Sequence, residues 1–311
     1  MVAFVLRKVS FMVVTLFLLA SLTFVLMNVI PGSPLQSEKA TSEQVKKNLE
    51  AYYGLDKPMF ERYITYMDNL IHGDLGVSMK KKFQTVERMI SSAFPYSLRL
   101  GLVSVVTSVV GGVVLGTLAA LYHRRFLDHF AMIIAVIGLA VPSLIMGPLL
   151  QYIFSVKLGW FSVAGLKSPL DYVLPTIALS ASSIAVIARL IRSTMVEVMN
   201  GDFIKTAKAK GLAGHMIVWR HALRNSMLPV VTYLGFMIAN VITGSVVVEQ
   251  IFAIPGLGKF FVSSIIDRDY PLIMGTTIFY AAILLVGRFI ADIAYVLVDP
   301  RIRLKGGKAG A

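Results

Sequence analysis

An all-α, multi-pass membrane protein with six transmembrane helices is the fold class that this sequence predicts. Three observations carry the prediction. The chain of 311 residues is 56% apolar and only 15% charged, against about 25% charged in soluble domains. It contains six nearly chargeless stretches long enough to cross a bilayer. Its lysines and arginines crowd into alternate segments between those stretches, which is the pattern a membrane imposes on loops. The lack of cysteine excludes disulfides, thiolate metal sites and a cysteine nucleophile.

A hydrocarbon layer about 30 Å thick needs roughly 20 residues of helix at about 1.5 Å each. The stretches that meet this length are Val9–Ile30, Ser97–Tyr122, Phe130–Val156, Val173–Ile191, Leu228–Ile251 and Leu272–Val298. The first follows Arg7 and Lys8, as the core of a signal peptide would. Its apolar run outlasts a signal core, and no small-x-small cleavage site follows, so an uncleaved anchor is expected. The third holds Pro142 and Pro148 and is expected as one kinked span, its freed carbonyls satisfied by neighbouring helices.

Charge sets the orientation. With the N-terminus inside, the inner segments hold Arg7, Lys8, Arg124, Arg125, Arg189, Arg192, Lys205, Lys208, Lys210, Arg220, Arg224, Arg301, Arg303, Lys305 and Lys308. Only Asp128, Glu197, Asp202 and Asp299 oppose them. The short outer loops carry just Lys157, Lys167, Lys259 and Arg268. The net charge of +13 is therefore loop bias, and no nucleic-acid partner is expected.

The expected organisation is an anchor helix over 1–30, an extracytoplasmic helical segment over 31–96, a five-helix core over 97–299 and a basic cytoplasmic tail over 300–311. In the outer segment, Thr41-Ser42-Glu43-Gln44 forms a capping box ahead of Val45, Leu49, Tyr52 and Tyr53. Pro58 opens a second amphipathic helix with Phe60, Tyr63, Ile64, Met67 and Ile71 on one face. Those faces need cover, either from the outer ends of the spans or from an extracytoplasmic partner.

The inner loop over 192–227 is the most informative segment. A helix can start at Asp202 and stop at Gly211, with Lys205 and Lys208 on one face and small Ala207 and Ala209 permitting close approach. A second amphipathic stretch runs from His215 to Asn225. Such a loop either lies on anionic headgroups or docks a cytoplasmic partner.

Within the spans, Arg288 sits about 10 residues from the inner end, roughly 15 Å deep, with Asp292 one turn away as the expected partner of an intramembrane ion pair. Glu249 ends the fifth span, where water is expected to reach it. Ser104 and Ser108, then Thr176, Ser180 and Ser183, then Thr232, Asn240 and Thr243 form rows at helical spacing. The rows serve either helix packing or a hydrated translocation path. Gly256-Leu257-Gly258-Lys259 lacks the first glycine and the hydroxyl of a phosphate loop, so any energy source is another chain or a gradient. The histidines (72, 123, 129, 215 and 221) lie in loops or at span ends, which disfavours an intramembrane hydrolase.

At the inner loop the sequence resembles the membrane subunits of bacterial binding-protein-dependent ABC importers. The Glu-Ala-Ala signature of that family falls on Lys205-Thr206-Ala207, its glycine on Gly211 and its Leu-Pro on Leu228-Pro229. The variant spacing is similar to the dipeptide, oligopeptide and nickel branch. Pro31-Gly32-Ser33-Pro34, Gly73-Asp74-Leu75-Gly76-Val77-Ser78, Pro255-Gly256-Leu257-Gly258, Asp269-Tyr270-Pro271-Leu272 and Asp299-Pro300-Arg301 extend the likeness along the chain. The long segment after the first span resembles the B-type subunit.

The resemblance implies the type I importer fold and a pore subunit that is not itself an enzyme and carries no cofactor or metal. Its implied partners are a C-type permease subunit, two ABC ATPases that use ATP and Mg, an extracytoplasmic peptide-binding protein and the lipid bilayer. It implies a coupling helix with Lys205, Thr206, Ala207, Lys208, Gly211 and Leu212 at the ATPase, in a bacterial cytoplasmic membrane with both termini inside. Oligopeptides are the implied cargo. Nickel, glutathione or another small solute remain alternatives, as does a gradient-driven secondary transporter.

Overall fold

The computed structural model describes residues 2–29, 43–81, 84–166 and 168–298. Among these the chain is helical apart from its loops and one isolated antiparallel bridge between Val77 and Thr85. In order the helices are α1 (Val2–Val29), α2 (Glu43–Tyr52), α3 (Met59–Ile71), α4 (Val86–Leu121), α5 (Phe126–Ala140), α6 (Ser143–Leu150), α7 (Val173–Met199) and α8 (Asp202–Ala209). Then come α9 (Gly214–Met216), α10 (Arg224–Ser226), α11 (Leu228–Ile251), α12 (Leu257–Asp267) and α13 (Tyr270–Val298). A π-helical turn over Gln151–Lys157 continues α6, and another over Ile217–Leu223 joins α9 to α10. The expected capping-box residues Thr41 and Ser42, the Pro31–Pro34 motif and the tail over 300–311 lie outside the described residues.

The described residues fall into two compact units. One is drawn from 1–96 and 255–285, the other from 97–254 and 286–311.

In the first unit, α1 is an almost uninterrupted apolar rod whose sides stay largely exposed, as a lipid-facing helix requires. Pro58 caps α3 in an extended conformation (φ −54°, ψ 144°), one residue before the helix that the sequence starts at it. α3 is covered by α1: Phe24 stacks on Tyr66 with centroids 5.5 Å apart and meets Tyr63 edge-on at 5.4 Å. The Ser21 and Tyr63 hydroxyls are 2.7 Å apart. Phe60, Ile64 and Ile71, expected on the same covered face, are instead exposed, because the aromatic pair turns the helix onto its Tyr63–Tyr66 edge.

Two of the sequence motifs meet in this unit. The Ser78 hydroxyl donates to the carboxylate of Asp269, which is 1% exposed, and the Met79 N–H donates to its other oxygen at 3.1 Å. The Leu75 N–H donates to Glu87 at the start of α4, and the Val86 N–H donates to the Gly76 carbonyl at 2.9 Å. An acidic residue in a first turn also suits the positive end of a helix.

The second unit is organised around α7. A Cβ on Gly112 would lie 2.5 Å from Cβ of Ile187, one on Gly116 2.6 Å from the Ala188 carbonyl oxygen, and one on Gly138 2.9 Å from that of Ala181. Small residues thus let α4 and α5 approach the α7 backbone closely, the usual device where helices pack in lipid. Ile187, Ile191 and Met195 of α7 are fully buried. α7 outruns its expected end at Ile191 by two turns, and α4 starts 11 residues before the expected Ser97.

The third expected span is not one kinked helix. It is a bent pair, α5 and the α6 leg over Ser143–Lys157, turning through 109°. The residue before a proline is pushed out of the helical region. Val141 accordingly sits at φ −92°, ψ 111°, and Pro142 at φ −58°, ψ 148° starts the next helix. Counting the pair once, five spans meet the length and apolarity of a crossing among the described residues. α11, with 24 residues, corresponds to the remaining expected span.

Candidate translocation path and coupling surface

The broken span builds the first part of the site. A cavity of about 300 Å³ opens at the break, lined by Gly138, Leu139, Pro142 and Ser143 with Ser182 and Ser183 of α7. The Val141 N–H donates to the Ile137 carbonyl at 3.0 Å, and those of Ile145 and Met146 share the Pro142 carbonyl at 2.9 Å. Pro142 has no N–H to give the Gly138 carbonyl its helical partner. The break therefore offers backbone acceptors, with the first N–H groups of α6 beside them, against two serine side chains.

Several hydroxyls of the expected polar rows bond within their own helices. Ser108 donates to the Ser104 carbonyl at 2.7 Å, Ser180 to that of Thr176 at 2.6 Å, and Thr232 to that of Leu228 at 3.2 Å. These hydroxyls are satisfied within their own helices. The Ser104 and Thr176 hydroxyls are buried without a partner among the described residues. Among the described residues, Ser183 of the expected path residues lines the cavity; Ser182 beside it was missed because it lies off the helical row. The side chains of Asn240 and Thr243 lie outside the described residues.

Arg288 is exposed and forms no ion pair with Asp292, which is half-buried. Spacing of four places the two on adjacent positions, but the long arginine stem can carry its head away from its neighbour. Glu249, expected at a water-accessible helix end, is 0% exposed; the chain folds back over it, with the Ile254 N–H on its carbonyl at 2.8 Å.

The helix expected to start at Asp202 and stop at Gly211 forms. α8 begins after Gly201, and Gly211, at φ +74°, ends it; that conformation favours glycine. Lys205, Thr206 and Lys208 are exposed, while Ala207 is 6% exposed and joins Ile204 and Ile217 in the core, with Leu212 packed against them. Ala207 and Leu212 thus support the segment from below rather than lie on its free surface. Phe203, missed in the sequence, is half exposed on that surface. Lys205 Nζ holds Asp202 at 2.7 Å, a solvated pair that adds little stability.

A clamp that the sequence did not reveal joins α5 to α7. Asp128, 1% exposed, accepts from Arg192 Nε at 2.5 Å and Nη2 at 2.8 Å, and from the Arg124 N–H at 2.9 Å. His123 Nδ1 stands 3.2 Å from the same carboxylate. Arg124 takes φ +62° to reach it. The residues lie 64 apart in sequence, so no local spacing announces the pair. Among the described residues no group of three His, Asp or Glu is placed to hold a metal ion.

Comparison with known proteins bears on the whole chain. Residues 112–304 match the family described as binding-protein-dependent transport system inner membrane component, and residues 1–100 match the N-terminal family of such components. The dipeptide transport system permease protein DppB of Bacillus subtilis is 50% identical over 304 residues, covering 98% of this chain and 99% of that one. The oligopeptide transport system permease protein OppB of Haemophilus influenzae is 41% identical, covering 97% and 100%. An inward-facing structure of the MetNI methionine ABC transporter superposes with a TM-score of 0.57 at 17% identity, covering 68% of this chain and 96% of that chain.

Proposed function

The chain belongs to the family of binding-protein-dependent transport system inner membrane components, and we propose that it is the B-type permease of an ATP-driven peptide importer. It is a multi-pass membrane subunit with the type I ABC importer permease fold. The observation that carries the peptide reading is the end-to-end 50% identity with a dipeptide permease, through both motif-bearing units.

In this reading a C-type permease, two ATPases and an extracytoplasmic peptide-binding protein complete the machine, in a bacterial cytoplasmic membrane with both termini inside. ATP and Mg act on the ATPases. The exposed side of α8, with Phe203, Lys205, Thr206 and Lys208, meets an ATPase surface, and Gly211 fixes the angle at which α8 is presented. ATP-driven motion there passes into α7, whose inner end is tied to α5 by Arg192 and Asp128. The break between α5 and α6 then gives a peptide weak backbone partners along its route, without a tight site.

The test is uptake into proteoliposomes holding the co-expressed complex. A labelled dipeptide supplied with its binding protein accumulates with ATP inside and continues to do so with a proton ionophore present. Accumulation that needs a proton gradient and no ATP overturns the proposal in favour of a secondary transporter. Import of nickel or glutathione in place of the peptide reassigns the cargo.

A further inference from the structure

The buried residues of α5 are Asp128, Ala131, Ala135 and Gly138, which recur at helical spacing and form one stripe along the helix. At the far end of the stripe, a Cβ on Gly138 would lie 2.9 Å from the Ala181 carbonyl oxygen of α7, so the two backbones touch there. Small side chains allow that approach, but they raise no ridge to interlock with a groove. Their dispersion attraction is non-directional and gives little resistance to a slide along the helix axis. Shifts of about 1–2 Å are an ordinary motion of packed helices.

Asp128 is the exception on the stripe. Its two oxygens accept from Arg192 Nε at 2.5 Å and Nη2 at 2.8 Å. Such a fork fixes direction as well as distance, so a slide of that size stretches and misaligns both bonds. The Arg124 N–H also holds the carboxylate, at 2.9 Å, and restrains it from following the slide. Arg124 does so from a backbone turned to φ +62°, a conformation that a non-glycine residue keeps only where its surroundings impose it.

The pair stands between two places that must communicate if α8 drives transport. Arg192 is about 10 Å from the end of α7 at Met199, and α8 begins after Asn200 and Gly201. Ile204 and Ala207 of α8 share a core with Ile191 and Met195 of α7, so α8 and the inner end of α7 move together. Asp128 stands in the first turn of α5, and the break at Val141 and Pro142 lies at the other end, about 20 Å away.

We propose that Asp128 and Arg192 are positioning residues for transport: the pair fixes the axial register of α5 on α7, so that displacement of α8 reaches the break at Pro142 instead of being lost as a slide between the two helices. The proposal rests on the peptide-importer reading above and assigns two of its transmitting residues.

The test counts ATP hydrolysed per labelled dipeptide accumulated, in proteoliposomes holding the complex with its binding protein. Arg192→Gln leaves ATP hydrolysis close to the parent rate while accumulation falls, so the ratio rises about tenfold. Arg192→Lys keeps the charge without the planar fork and raises the ratio less. Gly116→Ala disturbs α4 against the same helix α7; it lowers Tm but leaves the ratio at the parent value, because the register of α5 is untouched. An unchanged ratio in assembled Arg192→Gln complexes overturns the proposal. So does an equal rise with Gly116→Ala, which traces the effect to lost stability. If Arg192→Gln does not assemble, Arg192→Lys decides in the same way. A parent complex that accumulates no dipeptide with ATP overturns the proposed function instead.

Discussion

Asp128 joins α5 to α7 through a buried carboxylate. It is nearly inaccessible, and its charge is matched by the two nitrogens of Arg192. Removing one member of a buried pair strands the other, at about 3–5 kcal/mol when both are dry. Arg192 is 30% exposed, so Arg192→Ala is expected to cost about 2 kcal/mol, lowering Tm by about 4–8 °C. A melting curve of the purified complex checks it. Tyr66 makes a prediction of opposite chemistry. Burial, reinforced by Tyr63, raises its phenol well above the usual value. The unfolded chain then loses that proton first, so the native state binds more protons above about pH 10 and stability falls as pH rises there. Tyr66→Phe removes that part of the fall, measured as Tm between pH 9 and 11.

At the scale of elements, glycines in α4 separate packing from flexibility. Gly116→Ala drives a methyl into the Ala188 carbonyl oxygen and is expected to cost about 1–3 kcal/mol. Gly111→Ala meets only the Ile184 side chain, its nearest atom at 3.3 Å, and is expected to cost less than Gly116→Ala, as thermal melting of the two variants will tell. Just after α8, a Cβ at Gly211 meets nothing within 4 Å, so Gly211→Ala carries backbone strain alone, about 1–2 kcal/mol. Gly211→Pro demands φ near −65° in place of +74°. It is expected to leave the protein in the membrane while ATP hydrolysis continues without uptake. Normal uptake at normal expression rejects the coupling role of this turn.

For the whole molecule, the absence of cysteine allows sidedness to be read cleanly. Lys208→Cys is expected to react with an impermeant maleimide only in inside-out vesicles, and Asp56→Cys only in right-side-out ones. The opposite result reverses the orientation. What the sequence made legible was whatever depends on neighbours: the length of apolar runs, the Pro58 start of α3, and the start and glycine stop of α8. What it hid depends on partners distant in the chain. Gly112 reads as a small residue, and only the fold shows Ile187 against it. Arg288 and Asp292 looked like a pair by spacing, while the real clamp joined Asp128 to Arg192. Pro142 was legible as a disturbance, but not as a 109° turn, since the neighbours that receive the two legs decide the angle.

That turn also divides one electrical rod into two. The carboxyl end of α5 presents a fractional negative pole, and past two intervening residues the amino end of α6 presents a fractional positive one. In a stretch with almost no formal charge, these poles form a fixed dipolar step that side-chain substitutions leave largely in place.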